Sequence, residues 1–126
     1  MKDTRCPDTR VRDRLIEIQQ LGRDKPLLEI GQLGNSGYVV DSVPLAITAA
    51  SRVTKIGIDE MHKELIEIGG DTDTNCSIAG QVTGALLGLL GNRNIPQQLV
   101  HKLQNLSEYA WISDVLSRIM NRESWT

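Results

Sequence analysis

Residues 69–75, Gly69-Gly70-Asp71-Thr72-Asp73-Thr74-Asn75, place two carboxylates, two hydroxyls and an amide within five positions, directly behind two glycines. Oxygen donors at that density suit a hard cation. Mg²⁺ and Mn²⁺ take carboxylate, hydroxyl and water oxygens, whereas zinc favours His and Cys. The glycines allow the sharp bend that would bring both Asp side chains to one point. An apolar helical run begins at once behind them, and Asp and Thr are also the residues that cap helices. On the residues alone, a metal site and a helix cap are both open.

Two familiar metal loops can be excluded or weakened by counting. An EF-hand needs Gly at its sixth position and Glu at its twelfth. Counted from Asp71, those positions hold Cys76 and Val82. The phosphatase-type D-x-D-x-T/V loop needs Thr or Val where this chain has Asn75, and it follows a buried parallel strand. The preceding segment 58–68 is not strand-like. Its apolar Ile58, Met61, Leu65 and Ile68 recur at helical spacing, with Glu60, Lys63, Glu64 and Glu67 elsewhere on the surface. The acidic pair therefore lies between two helices.

The elements that must carry this turn are helical throughout. Residues 9–21 put Val11, Leu15, Ile18 and Leu21 on one face, with Gly22 as a stop. Residues 26–33 form a short helix opening at Pro26 and ended by Gly34. Gly34-Asn35-Ser36-Gly37 is the clearest loop of the chain. A helix over 38–52 follows, with Pro44 inside it; a cap at Asp41 or Ser42 would bring that proline into the first turn. A short strand over 38–40 is the weaker alternative. Behind the acidic turn, Gly80, Gly84 and Gly88 share one helix face. Each glycine costs about 0.5–1 kcal/mol relative to Ala in a helix interior, so close packing against another helix, in this chain or in a part of the fold it lacks, is expected to offset them. Pro96 opens a final pair, 96–105 and 107–121, in which Trp111, Val115 and Ile119 form an apolar stripe expected to pack. His62 and His101 read as surface residues rather than ligands.

Composition bounds the rest. The chain has 126 residues, 40% hydrophobic and only 3% aromatic with no Phe, so one domain over 1–126 with a core of Leu, Ile, Val and Ala is expected. A net charge of −2 without a basic run argues against nucleic acid or an anionic membrane surface as a partner. Arg5, Arg10, Arg12 and Arg14 are interleaved with Asp3, Asp8 and Asp13 and read as a solvated helix face. Cys6 and Cys76 do not make a disulfide framework, and Cys76 reads as a small buried thiol. No secretory leader opens the sequence, and the apolar stretch 78–90 is too short to span a bilayer, so a cytoplasmic protein is the expectation.

The run from Ile68 through Gly80, with Gly69-Gly70-Asp71-Thr72-Asp73-Thr74-Asn75 at its centre, closely resembles the metal-binding signature of the ADP-ribosylglycohydrolase family, including the dinitrogenase-reductase activating glycohydrolases. Upstream, Gly34-Asn35-Ser36-Gly37-Tyr38-Val39-Val40-Asp41-Ser42-Val43-Pro44-Leu45-Ala46 resembles a second landmark of the family, at a suitable distance. Gly91-Asn92-Arg93-Asn94-Ile95-Pro96 looks like the usual exit from the helix that follows the motif. The resemblance spans roughly residues 10–106. It implies an all-α fold of orthogonally packed helices and hydrolysis of the glycosidic bond joining ADP-ribose to an acceptor, with a pair of Mg²⁺ or Mn²⁺ ions. It assigns metal ligation to Asp71, Asp73 and Thr74, and gives Thr72 a capping or orienting part. It places Gly37 and Tyr38 along the ADP-ribose cleft, although a tight turn with a core tyrosine reads equally well from the residues.

The resemblance also implies a shortfall. Complete members are roughly twice as long, and their N-terminal half supplies a further acidic cluster. Residues 1–36 hold no glycine-flanked acidic cluster, and three donors from one turn cannot fill two octahedral shells. The expectation is therefore the C-terminal portion of the glycohydrolase fold, incomplete as an isolated chain. It would act on an ADP-ribosylated substrate together with a complementary N-terminal half. Alternatives are a non-catalytic remnant that binds ADP-ribose or metal, and a truncated helical protein that self-associates into a homo-oligomer.

Overall fold

A computed structural model describes residues 9–89 and 95–121. The chain divides into two compact units, Met1–Asn94 and Ile95–Thr126. Among the described residues every regular element is a helix, so the all-α expectation holds.

The first unit contains α1 (Arg10–Leu21), α2 (Leu27–Gly31), α3 (Val39–Ser51), α4 (Val53–Ile68) and α5 (Thr72–Leu89). Helix α1 starts where its sequence asks it to: the Thr9 hydroxyl accepts a hydrogen bond from the Arg12 amide at 3.2 Å, and Gly22 closes the other end. Pro26 sits at the entry to α2, and turn-type hydrogen bonds continue past it to Gly34. Helix α3 begins earlier than a cap at Asp41 or Ser42 would allow. The Tyr38 carbonyl already accepts from the amides of Asp41 and Ser42 at 2.8 and 2.9 Å. Pro44 therefore lies beyond the first turn, inside the helix, and the strand alternative over 38–40 is excluded. Helix α4 extends back to Val53 across a non-helical Gly57 that the apolar pattern does not announce.

Helix α3 is the centre of this unit. It packs most extensively on α5 and next on α1, while α4 packs on α5 and α2. Leu45, Ala46, Ala49 and Ala50 of α3 are buried together with Ile18, Leu27, Ile30, Val53, Met61, Leu65, Ala79 and Leu87, giving the aliphatic core that the composition requires. Within α4, Ile58, Met61 and Leu65 are buried, as their spacing predicts.

The basic cluster of α1 is only in part a solvated face: Arg10 and Asp13 are exposed, but Arg12 is 6% exposed and Arg14 makes an ion pair with Asp41 at 2.9 Å. A long guanidinium side chain can bury its methylenes while its head finds an acceptor. Arg5 lies outside the described residues. The glycine stripe of α5 packs closely on no described helix. The buried row is Asn75, Ala79, Thr83 and Leu87, one position round from the glycines. A Cβ at Gly84 or Gly88 would meet nothing within 4 Å, and one at Gly80 would meet only His62 Nε2 at 3.7 Å.

The second unit holds α6 (Gln97–Gln104) and α7 (Tyr109–Met120). Pro96 opens α6, as expected. Neither helix has a buried residue, and Trp111, placed by the sequence in a packing stripe, is 61% exposed. Leu103, Tyr109, Ile112, Leu116 and Met120 border an apolar groove of about 340 Å³. No described helix is long and apolar enough to cross a membrane.

Candidate functional site

The acidic turn is built by the end of α4 and the start of α5. Gly69 and Gly70 both take positive φ, at 79° and 69°, and reverse the chain in two residues. Asp71 then stands immediately before α5, and its carbonyl accepts from the Asn75 amide at 3.0 Å. Its Oδ1 accepts from the Thr74 amide at 3.2 Å, and its Oδ2 accepts from the Thr74 hydroxyl at 2.9 Å. Asp71 is thus the helix cap, a part the sequence reading gave to Thr72. The Thr72 amide instead donates to the Gly70 carbonyl at 3.1 Å.

Capping does not exhaust this carboxylate. An ionised Asp offers about four lone-pair positions, and two are in use here. Thr74 gives its hydroxyl hydrogen to Asp71, which leaves the threonine oxygen with lone pairs only. Asp73 is exposed one residue away. Both carboxylates complement the positive end of α5. The donor set is therefore hard oxygen held in one turn, which fits part of the shell of a Mg²⁺-class ion. Among the described residues, no group of three or more His, Cys, Asp or Glu could hold a metal ion. Cys76 is half-buried rather than buried, and burial followed by the charge of Asp73 pushes its thiol pKa up. Cys6 lies outside the described residues.

The second candidate segment meets the first. The Gly37 backbone lies so close to the acidic turn that a methyl group there would collide with Asp71 Oδ2. Asn35 makes the backbone join: its carbonyl accepts from the Asp71 amide at 2.9 Å and from Asn75 Nδ2 at 2.9 Å. Gly70 packs on the same carbonyl. Close contact between Gly31 and Ile68 brings the end of α2 against the end of α4, and so carries the loop to the turn. Tyr38 is 55% exposed, which removes the core-tyrosine reading and leaves its side chain open to solvent at the start of α3.

A polar chain holds the loop from its other side. Ser36 Oγ donates to Asp41 Oδ2 at 2.6 Å and accepts from the Tyr38 amide at 3.2 Å. Arg14 Nη1 donates to Asp41 Oδ1 at 2.9 Å. The Ser36 hydrogen bond, with help from Arg14 and against the opposing effect of burial, holds the Asp41 carboxyl below its ordinary pKa.

The site thus brings Asp71, Thr74 and Gly37 together, sets Asp73 beside them on the solvent side, and leaves Tyr38 exposed at the loop's end. The sequence reading missed Asn35, Ser36, Asp41, Arg14 and Asn75 as parts of the assembly. Asn75 had a signal, because it is a polar residue on the apolar row of α5. The Arg14–Asp41 pair, 27 positions apart, had none.

The family model for ADP-ribosylglycohydrolases matches residues 2–126. No curated protein and no solved structure matches the chain. With the family signature running over the whole length, and its acidic turn joined to the glycine loop, the chain belongs to the ADP-ribosylglycohydrolase family.

Proposed function

We propose that this chain supplies the acidic-turn half of a metal-dependent centre that hydrolyses the glycosidic bond between ADP-ribose and its acceptor. The observation that carries this reading is the contact of Gly37 with Asp71, which makes one surface of two segments far apart in sequence. In this reading Asp71, Asp73 and Thr74 hold Mg²⁺ or Mn²⁺. A bound divalent ion of that kind would grip the ribose hydroxyls, position a water and offset charge near the scissile carbon. Asp71 fixes the Thr74 hydroxyl so that its oxygen faces the ion as an acceptor. Gly37 lets the backbone approach the ligand, and the exposed Tyr38 offers a face to a base or a ribose.

One turn does not complete the centre. The remaining carboxylates come from a complementary acidic segment that this reading places opposite the turn. The test is release of ADP-ribose from an arginine- or serine-modified peptide, with Mn²⁺ present and the complementary acidic half added. Turnover that disappears in Asp71→Ala is expected. No turnover in the mixture overturns the hydrolytic reading.

A second reading is favoured by the donor set at the turn, two carboxylates and a hydroxyl, which can hold a ligand without filling a two-ion centre. It makes the chain a binding module for ADP-ribose or metal without catalysis. Isothermal titration separates the two readings from a purely self-associating protein, since binding heat in the intact chain that is lost in Asp71→Ala requires a working site.

A further inference from the structure

Asn75 lies four positions after the helix cap, on the inward row of α5, and is 1% exposed. A buried amide is expensive unless its polar atoms are paired. Its Nδ2 is paired, but outside its own helix: it donates to the Asn35 carbonyl, 40 positions away, at 2.9 Å. Its Oδ1 is buried with no hydrogen-bond donor. A leucine has the same branched shape and would leave no unsatisfied acceptor. What the amide alone provides is the bond to the loop.

That bond falls at the one place where the two parts of the site are joined. The same Asn35 carbonyl receives the Asp71 amide at 2.9 Å, so a single loop oxygen is held by two donors from the acidic turn. Two residues further on, Gly37 rests on the carboxylate of Asp71. On the far side, Asn35 Nδ2 donates to the Gly31 carbonyl at 3.3 Å, anchoring the loop to the end of α2. The side-chain hydrogen bond of Asn75 runs to the Asn35 carbonyl, not to the proposed ligand groups of Tyr38, Asp73 or Thr74. Its effect on the site must pass through the position of Asn35.

We infer that Asn75 is a positioning residue that latches the glycine loop to the acidic turn, so that a cation held at the turn and a ligand held at the loop are sensed by one rigid assembly. The inference rests on the proposed roles of the two segments for its functional meaning, while the latch itself is a matter of this chain's own contacts. Without the amide, Asp71, Asp73 and Thr74 keep their places in the first turn of α5. The loop keeps its Ser36–Asp41 anchor but loses one of the two bonds that draw it inward.

The test uses the full chain labelled with ¹⁵N, with Mg²⁺ as the probe. In the intact protein, Mg²⁺ shifts the amide resonances of residues 71–74 and of residues 36–38 together. In Asn75→Leu the turn still responds, while the loop's shifts fall at least fivefold. A residue that merely filled space would leave that transmission unchanged, and undiminished loop shifts in the variant overturn the proposal. A second measurement needs no metal. Exchange of the Asp71 amide speeds up at least tenfold in Asn75→Leu, with the Met61 and Leu65 amides unaltered, and an unchanged Asp71 rate likewise overturns the latch. If Mg²⁺ moves no resonance in the intact chain, the metal reading fails and the exchange experiment alone decides the latch. Asn75→Ser, polar but too short to reach Asn35, carries the same measurements should the leucine variant not fold.

Discussion

Two glycine-rich regions of this protein look alike in sequence and behave oppositely in the structure. At the junction of loop and turn, Gly37 and Gly70 each sit where a methyl group would strike a neighbour: the Asp71 carboxylate in one case, the Asn35 carbonyl in the other. Along α5, Gly84 and Gly88 meet nothing. The regular four-residue period of the stripe is the more conspicuous pattern, yet the steric demand falls on the irregular glycines, Gly34 in the same loop included. Periodicity reports which residues share a face. It does not report whether anything lies against that face.

The sharpest way to break this contrast is to add one carbon to each region. Gly70→Ala combines a positive φ with a collision against backbone, and should cost about 3 kcal/mol of unfolding free energy in denaturant titration. A loss under half that size would mean the junction is looser than its contacts indicate. Next in size is Asp41→Ala. It leaves Arg14 facing a pocket without its carboxylate and frees Ser36, for about 2 kcal/mol.

Asp41 also has a pH signature. Its folded pKa lies below the ordinary value near 3.9, so its stabilising effect is fully present above about pH 4 and is lost as pH falls through the lowered pKa. Thermal melts from pH 6 to pH 2 should show less acid destabilisation in Asp41→Asn than in the parent. Equal slopes would detach Asp41 from the loop's anchoring.

Asp71→Ala removes the cap of α5 and should cost about 1 kcal/mol, while abolishing any Mn²⁺ heat in titration calorimetry. Binding that survives it would move the proposed metal site elsewhere. The smallest effect is opposite in sign. Gly84→Ala and Gly88→Ala should each stabilise the chain by about 0.5–1 kcal/mol, because open space receives the methyl and helix propensity improves. Destabilisation by either would reveal a neighbour on that face.

Much of this arrangement is legible along the chain. Thr9, Gly22, Pro26 and Pro96 mark helix ends by their own local chemistry, and Ile58, Met61 and Leu65 announce their buried face by spacing alone. Asp71 is recognisable both as an oxygen donor at a bend and as a candidate cap, and it does cap α5. The illegible parts depend on partners far off in sequence. Nothing near Arg14 says that its charge will be neutralised by Asp41, and nothing near Asn35 says that its carbonyl will take two donors from the turn. The helix-face reading of Arg12 failed because a charged residue was assumed to seek water, when a long stem can bury and still satisfy its head. The open faces of α6 and α7 lay beyond any reading of periodicity, which predicts an apolar stripe without predicting what covers it.

The aliphatic core has one more consequence. Among residues 9–89 the sole aromatic side chain is Tyr38, half out in solvent at the loop's end. The described tryptophan, Trp111, belongs to the other unit. Each unit therefore carries its own natural chromophore. Selective tryptophan excitation leaves Tyr38 dark, while tyrosine emission follows the candidate site itself in a variant whose Tyr109, Trp111 and Trp125 are replaced, with no probe introduced.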